Sequence, residues 1–412
     1  MDKDLRCTNS SRGAALIVAI FALMILTALA VAFASIARTD VILAGNHRTR
    51  VQGMSAAQSG VQYCRALLVS DDAGVDSTNE DWALVQDQPI ALDVPGFTVN
   101  AAVTDESARL DVNTATREML LRLPGMTEQA ADSILDWRDA DEEPRAEGAE
   151  SDYYLSLPSP YQASNAPFET IDELRLVRGV DRQMFEGDGT DALPGLRSLV
   201  TVRSGERNTD RQGRRRLDIT SATAAQLTQR LAGVMSGQEI TAIANARQRR
   251  GLTSLASTFD IAGVSWRSMA HALDLICVDT RTFVEGTVNL NTASETVLEA
   301  IGLPAEAAQA IIERRTEQPL QTKGDLADIA GVTRDVMRSV ADRIATKSSI
   351  FRVSAWAQAD DRPLVSSVFT LLDRGSSPST PARILLWREE FGRQPQPASS
   401  EGQQSGSTIS GS

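Results

Sequence analysis

Carboxylates crowd one short stretch of the chain, Asp139, Asp141, Glu142, Glu143, Glu150 and Asp152 among them. Calcium takes roughly 6–8 hard oxygen ligands, and closely spaced loop carboxylates can supply them. The stretch is not an EF-hand, because Pro144 stands where that loop needs Gly and the spacing to the final acid differs. The alternative is a solvated acidic loop. Other chemistry-bearing residues are sparse. The 412 residues include only 2 His and 3 Cys, which excludes multi-histidine metal catalysis, zinc ribbons and a disulfide-dense scaffold. His47 falls on a helical stem and His271 within the apolar run Met269–Leu273, so both read as structural. No Ser/His/Asp or Cys/His set is legible, and no catalysis is expected.

The elements that must position the acidic loop follow from the rest of the sequence. The chain is long enough for two or three domains. Ala14 to Ala37 is 24 residues without a charge, enough to cross a ~30 Å hydrocarbon core as a helix. A signal peptide would have a shorter apolar region. Here helical character continues, without proline, to about Val69. Gly45, Gly53 and Gly60 weaken that helix locally. A polar leader with Lys and Arg, ending Arg12-Gly13, favours a cytoplasmic N-terminus. Cys7 lies in this leader, whereas Cys64 and Cys277 would be extracytoplasmic, where a pairing between them is open.

Internal repetition is the next signal. Arg109-Leu110-Asp111-Val112-Asn113-Thr114-Ala115, Arg216-Leu217-Asp218-Ile219-Thr220-Ser221-Ala222 and Val288-Asn289-Leu290-Asn291-Thr292-Ala293 share one opening. Each precedes an apolar helical pattern and then a glycine turn, at Gly125, Gly233 and Gly302. Each has a second glycine turn downstream, at Gly179, Gly263 and Gly331. Asn, Ser and Thr in the openings are helix N-cap signals, and the glycines suit interhelical turns that need φ > 0. This is a helix-hairpin-helix pattern. The glycine spacing is 30 residues in the second copy and 29 in the third, but 54 in the first. The first copy therefore carries an insertion of about 24 residues, which contains the acidic loop.

Hairpins of this kind often bind DNA through turn amides. The charge map disfavours that here, as does the net charge of −13. Thr104 to Gly195 has 21 acids against 8 Arg, a net of −13. Arg203 to Arg250 has 10 Arg against 4 acids, a net of +6, but no interleaved aromatics to stack bases. The basic run reads as a solvated or protein-facing patch. Phe97–Val103, Phe351–Ala357, Ser367–Leu372 and Arg383–Trp387 alternate as strands, with a flexible connection over Gly375–Pro381.

A basic leader ending in Gly, followed by an apolar helix that runs on as a stem, is similar to a type IV pilin-class prepilin. The resemblance implies cleavage by a membrane peptidase after Gly13 and a methylated N-terminus at Ala14. Most pilins carry Glu at the fifth mature position, thought to meet the amine of the subunit ahead; here that position is Val18. The member lacking this Glu is the K minor pseudopilin of type II secretion. The insertion, Ile134-Leu135-Asp136-Trp137-Arg138-Asp139-Ala140-Asp141-Glu142-Glu143-Pro144 with Gly148-Ala149-Glu150-Ser151, Tyr153-Tyr154 and Ala166-Pro167-Phe168, closely resembles the first helical module of that family. The family usually shows two hairpin modules, whereas three are counted here.

The resemblance implies an α+β fold: a long N-terminal transmembrane and stem helix, a small pilin-type antiparallel sheet, and a large inserted helical domain of helix-hairpin-helix (SAM-like) modules. The expected layout is a leader over 1–13, a membrane helix over 14–37, a periplasmic stem over 38–70 and a strand region over 71–104. Hairpin modules follow over 105–200, 201–285 (an added one) and 286–348, then sheet strands over 349–391 and a disordered tail over 392–412. It also implies structural calcium on Asp139, Asp141 and Glu150. The expected role is a non-catalytic subunit at the pseudopilus tip, aiding export of folded proteins through the outer-membrane secretin. The implied location is single-pass in the inner membrane with the bulk periplasmic. The implied partners are the I and J minor pseudopilins, the major pseudopilin, the prepilin peptidase, the inner-membrane assembly platform and secreted proteins. No nucleic acid is expected. A membrane-anchored DNA receptor of a transformation pilus is the competing expectation.

Overall fold

The computed structural model describes residues 10–189, 193–250, 252–278, 280–361, 363–375 and 382–392. The first helix, α1, spans Ser10–Ser70, so it begins inside the expected leader rather than at Ala14. Its 61 residues extend about 90 Å. From Leu16 to Val51 its large apolar side chains are exposed. From Met54 onward one face is buried: Met54, Ala57, Val61, Cys64 and Leu68. This is the helical i, i+3, i+4 stripe of an element lying on a sheet.

That sheet has four antiparallel strands in the order β1 (Phe97–Asp105), β10 (Ile350–Ala359), β11 (Val365–Asp373) and β12 (Arg383–Phe391). All four coincide with the alternating segments of the sequence. β1 pairs with β10 from Phe97↔Ala359 to Asp105↔Phe351. Everything between Asp105 and Ile350 is therefore an insertion at one end of a small sheet. Gly60 allows α1 to lie close: a Cβ there would meet Val99 Cγ1 at 3.0 Å and Ala355 Cβ at 3.1 Å. The connection expected over Gly375–Pro381 lies outside the described residues from 376 on, and so does the expected tail from 393.

The insertion is a helical crown built on three short parallel strand pairs. β2 (Leu110–Asp111) pairs with β3 (Val200–Thr201), β5 (Leu217–Asp218) with β6 (Ile276–Cys277), and β8 (Val288–Asn289) with β9 (Ile344–Ala345). Each pair joins a repeat opening to the end of its module. The antiparallel ribbon of β4 (Gly205–Arg207) and β7 (Phe283–Glu285) brackets the middle copy. One apolar core runs through the crown, and a separate one lies between α1 and the sheet.

The first helix of each copy starts at a Thr or Ser whose side-chain oxygen accepts a backbone N–H three residues on. Thr116 accepts from Met119, Thr223 from Gln226 and Ser294 from Val297. Five of the six turn glycines have positive φ: Gly125 (73°), Gly179 (84°), Gly263 (84°), Gly302 (112°) and Gly331 (78°). Gly233 does not, and a Cβ there would meet nothing within 4 Å. The expectation of φ > 0 fails at that turn.

Cys64 and Cys277 are both buried and form no disulfide, Cys64 lying in the sheet core and Cys277 on β6. His47 is exposed on the stem, and His271 packs against Gly324.

Candidate metal centre in the first module

The helix Glu128–Arg138 ends at Asp139, and the chain then makes an excursion before Glu150 opens the helix Ser151–Leu155. This excursion brings oxygens of Asp139, Asp141 and Glu150 within 4.8 Å of one another. Glu150 is 4% exposed. Both its carboxylate oxygens, and Oδ1 of Asp139, are buried without a hydrogen-bond partner. Burial, then the nearby Asp136 and Asp139, push the Glu150 carboxyl up to about 7. The unpaired oxygens of buried Glu150 and half-buried Asp139, beside exposed Asp141, are unfavourable without a cation or protons. The donor set is all hard oxygen, which suits a divalent cation of the calcium type.

Further residues shape the loop. Asp136 is fully buried and accepts from Arg145 twice, from its backbone N at 3.2 Å and its Nη1 at 2.5 Å. The same Nη1 reaches Asp139 Oδ2 at 2.6 Å, leaving Oδ1 free to face Asp141 and Glu150. Gly148 must lack a side chain, since a Cβ would fall 1.7 Å from Asp136 Oδ2. Asn165 has a φ of 45° and donates to Asp141 O at 3.3 Å and Glu142 Oε1 at 2.7 Å. Glu142 also accepts from the Ser151 hydroxyl at 3.1 Å, so it is engaged within the loop. Behind the loop, Trp137, Tyr154, Tyr161 and Phe168 pack ring against ring. Sequence reasoning passed over Asp136, Arg145 and Asn165. The signal for Asp136 was an acid on the apolar face of a helix, which must have a partner when buried.

The basic run of the middle module is not one patch. Arg216 is buried and pairs with Glu206 (2.8 Å) and Asp274 (3.4 Å). Arg214 and Arg230 converge on the buried Asp210. Arg247 donates to Ala222 O. The side chains of Arg249 and Arg250 lie outside the described residues.

The hairpin copies share an arginine staple that pairwise motif reading did not find. Arg138 donates to Val112 O and Ala115 O, and Arg315 to Leu290 O and Ala293 O; Arg247 is the middle counterpart. Asn113 clamps Phe168 by both N–H···O bonds, and Asn291 clamps Leu320 the same way. In the middle copy Thr220 holds that position and turns back to Asp218 Oδ1 at 2.7 Å.

A long apolar helix laid on a small antiparallel sheet, with hairpin modules inserted between its strands, defines the pilin-type class of fold with a helical crown. Among the described residues, one helix, near the N-terminus, is long and apolar enough to cross a membrane. Within that class, the chain resembles protein K of the type II secretion system in both sequence and fold. Residues 96–187 and 288–345 each match a family model described as type II secretion system (T2SS), protein K. Type II secretion system protein K of Pectobacterium carotovorum is 26% identical over 43% of this chain and 61% of its own length. The protein of the same name from Pseudomonas aeruginosa is 32% identical over 30% of this chain and 40% of its own. The chain thus spans about three-fifths or less of these relatives' lengths. The fold is similar to a chain in the GspK-GspI-GspJ complex of the enterotoxigenic Escherichia coli type 2 secretion system, with a TM-score of 0.51 and 14% identity. That likeness covers 84% of this chain and 98% of the other. The two matched stretches bracket the middle module, which neither family model reaches.

Proposed function

We propose that this protein is a minor pseudopilin that caps the tip of a type II secretion pseudopilus and has no catalytic turnover. The observation that carries the reading is where the crown sits. The segment leaving α1 places Asp76 N on Thr346 O at 3.0 Å, and Asn289 donates to Asp76 O at 3.1 Å. The crown is therefore fastened at the end of α1 away from the apolar half, on a stem one helix wide. A bulk of that size at the far end leaves no room for a further subunit ahead. Val18, where most pilins carry Glu, agrees: a subunit with none ahead has no amine to meet, and a lone carboxylate in the membrane is costly.

In this reading Gly13 and Ala14 flank the prepilin peptidase cut, the N-terminus starts cytoplasmic in the inner membrane, and the sheet and crown are periplasmic. The I and J minor pseudopilins are the nearest partners; the complex similar in fold contains chains of those names. The major pseudopilin, the assembly platform and exported proteins complete the set. Crosslinking along sheared filaments tests the tip position: signal confined to one end is expected, and an even distribution along the filament overturns it. The mature membrane form should begin at Ala14 by N-terminal sequencing, and Gly13→Val should retain the leader. A gel shift with duplex DNA at low salt should show no complex; binding there would favour a DNA receptor.

Asp139, Asp141 and Glu150 would hold calcium as a structural ion that neutralises the loop and orders the first module. Calcium should raise the melting temperature of the detergent-solubilised chain by mass action. Magnesium should act less well, since it keeps its waters and demands a tight octahedral shell. Asp141→Ala should reduce the calcium effect. Equal melting points with calcium, magnesium and chelator would leave a solvated acidic loop.

A further inference from the structure

A second knot of charge lies far from the acidic loop, where three parts of the molecule meet. Asp71 and Asp76 follow the end of α1, and Glu80 stands four residues on. Arg374, just past β11, reaches Asp71 Oδ2 at 2.9 Å and both oxygens of Asp76 at 2.5 and 2.6 Å. Its guanidinium also lies over the Phe351 ring at 4.9 Å. Ser348 N donates to Asp76 Oδ2 at 2.7 Å, and Asn289 of β8 donates to Asp76 O. Stem, sheet and third module thus share one joint. The cluster already contains its own cation, Arg374, so it is not read as a metal centre.

The charge at this joint does not balance. Asp71, Asp76 and Glu80 present carboxylate oxygens within 4.8 Å of one another. One guanidinium faces all three. Glu80 Oε2 accepts from Trp82 Nε1 at 2.5 Å, and Trp82 packs edge-on against Phe351 with ring centroids 5.1 Å apart. Other charged groups approach from each packed element. Asp72 and Asp81 lie on the same segment, and Asp105 at the end of β1 feels Asp76. Lys347 acts on Asp76 from the third module but spends its hydrogen bonds on Thr209 and on Asp210 O. Arg211 of the middle module approaches Gly74 with its backbone carbonyl. None of these offers Glu80 a direct ion pair among the described contacts.

We propose that Asp71, Asp76, Glu80 and Arg374 form a proton-dependent clamp: with one proton held among the three carboxylates the crown is locked to the stem, and with that proton lost the joint loosens. Burial first, then Asp76 and Asp71, push Glu80 up to about 8, and burial raises Asp71 to about 6 against the pull of Arg374. A carboxyl raised on folding contributes stability that is present below its unfolded value and lost as pH rises through its folded value. The clamp is therefore fullest below Glu80's unfolded value near 4.5, weakens across the window from there to about 8, and loses no more above it.

Hydrogen exchange of the full chain in detergent micelles tests this. The reporters are the amides of Asp76, Ser348 and Arg374, which bond across the joint. Comparing the native chain with Glu80→Gln at one pH cancels the intrinsic exchange rate. At pH 4.5 the two should agree within about twofold; at pH 8 the native chain should exchange more than about tenfold faster at these amides. Equal rates at pH 8, or the same difference at both pH values, would overturn the clamp. Trp82→Phe keeps the ring packing but removes the donor that favours the charged form, so it should move the loosening to higher pH. A move to lower pH, or none, would also overturn it, and this variant decides if Glu80→Gln does not fold. Calcium restoring protection at pH 9 in a chain carrying Asp139→Asn and Asp141→Asn would make the joint a cation site and end the proton reading.

Discussion

The third and middle hairpin modules show how one motif can be secured in two ways. In the third, Asn291 sits fully buried and bridges its opening to Leu320 through two hydrogen bonds. In the middle, Thr220 satisfies itself locally and bridges nothing across the module. Both keep the parallel strand pair, the capped first helix and the arginine staple. The asparagine is therefore an addition to the hairpin rather than a condition of it. Within the shared apolar core, a buried ion cluster also joins the middle module to the third. Glu206, fully buried on β4, takes Arg216 at 2.8 Å from the middle module and Lys323 at 2.6 Å from the third. The first module has a comparable buried joint, where Glu106 takes Arg109 at 3.0 Å and Arg352 at 2.5 Å.

The sharpest way to break that comparison is Glu206→Ala. It leaves Arg216 and Lys323 buried without their shared partner, a loss of about 3–5 kcal/mol by chemical denaturation. The same joint sets an acid limit. Although burial opposes it, the attraction of Arg216 and Lys323 holds the Glu206 carboxyl down at about 2. A carboxyl lowered on folding contributes stability above its unfolded value near 4.5 and loses it as pH falls towards 2. Melting curves between pH 5 and 2 should show this loss, and Glu206→Gln should flatten that part of the profile.

A smaller effect sharpens the asparagine contrast. Asn291→Ala should cost about 2 kcal/mol, because the N–H and C=O of Leu320 stay buried and unpaired. Thr220→Ala should cost under about 1 kcal/mol, since its bonds lie within its own turn. Equal losses for the two variants would erase the distinction between the modules.

The smallest pair concerns the turns of the middle module. Gly263→Ala forces a Cβ into φ 84° and should cost about 1 kcal/mol. Gly233→Ala meets open space without positive φ and should change stability by less than about 0.5 kcal/mol. Equilibrium unfolding of both variants checks the order.

Much of this protein was legible in one dimension. The apolar run announced α1, because a helix in hydrocarbon needs no partner to be recognised. Alternation announced all four sheet strands, and the repeated openings fall on the three short parallel strand pairs of the crown. The acidic loop was visible because its ligand candidates lie within 12 residues of each other. Three-dimensional packing decided the rest. Asp76, Arg374 and Ser348 are separated by up to 298 residues, and nothing local marks them as neighbours. Arg216 looked like part of a basic patch because its neighbours are arginines; only the fold turns it inward onto Glu206 while Arg214 faces out. Gly233 looked like its five counterparts, but its backbone angle depends on how the two helices meet. Composition and periodicity report what each segment prefers on its own. Which buried charge finds which partner depends on the distances that packing creates, and those exist only once the chain has folded.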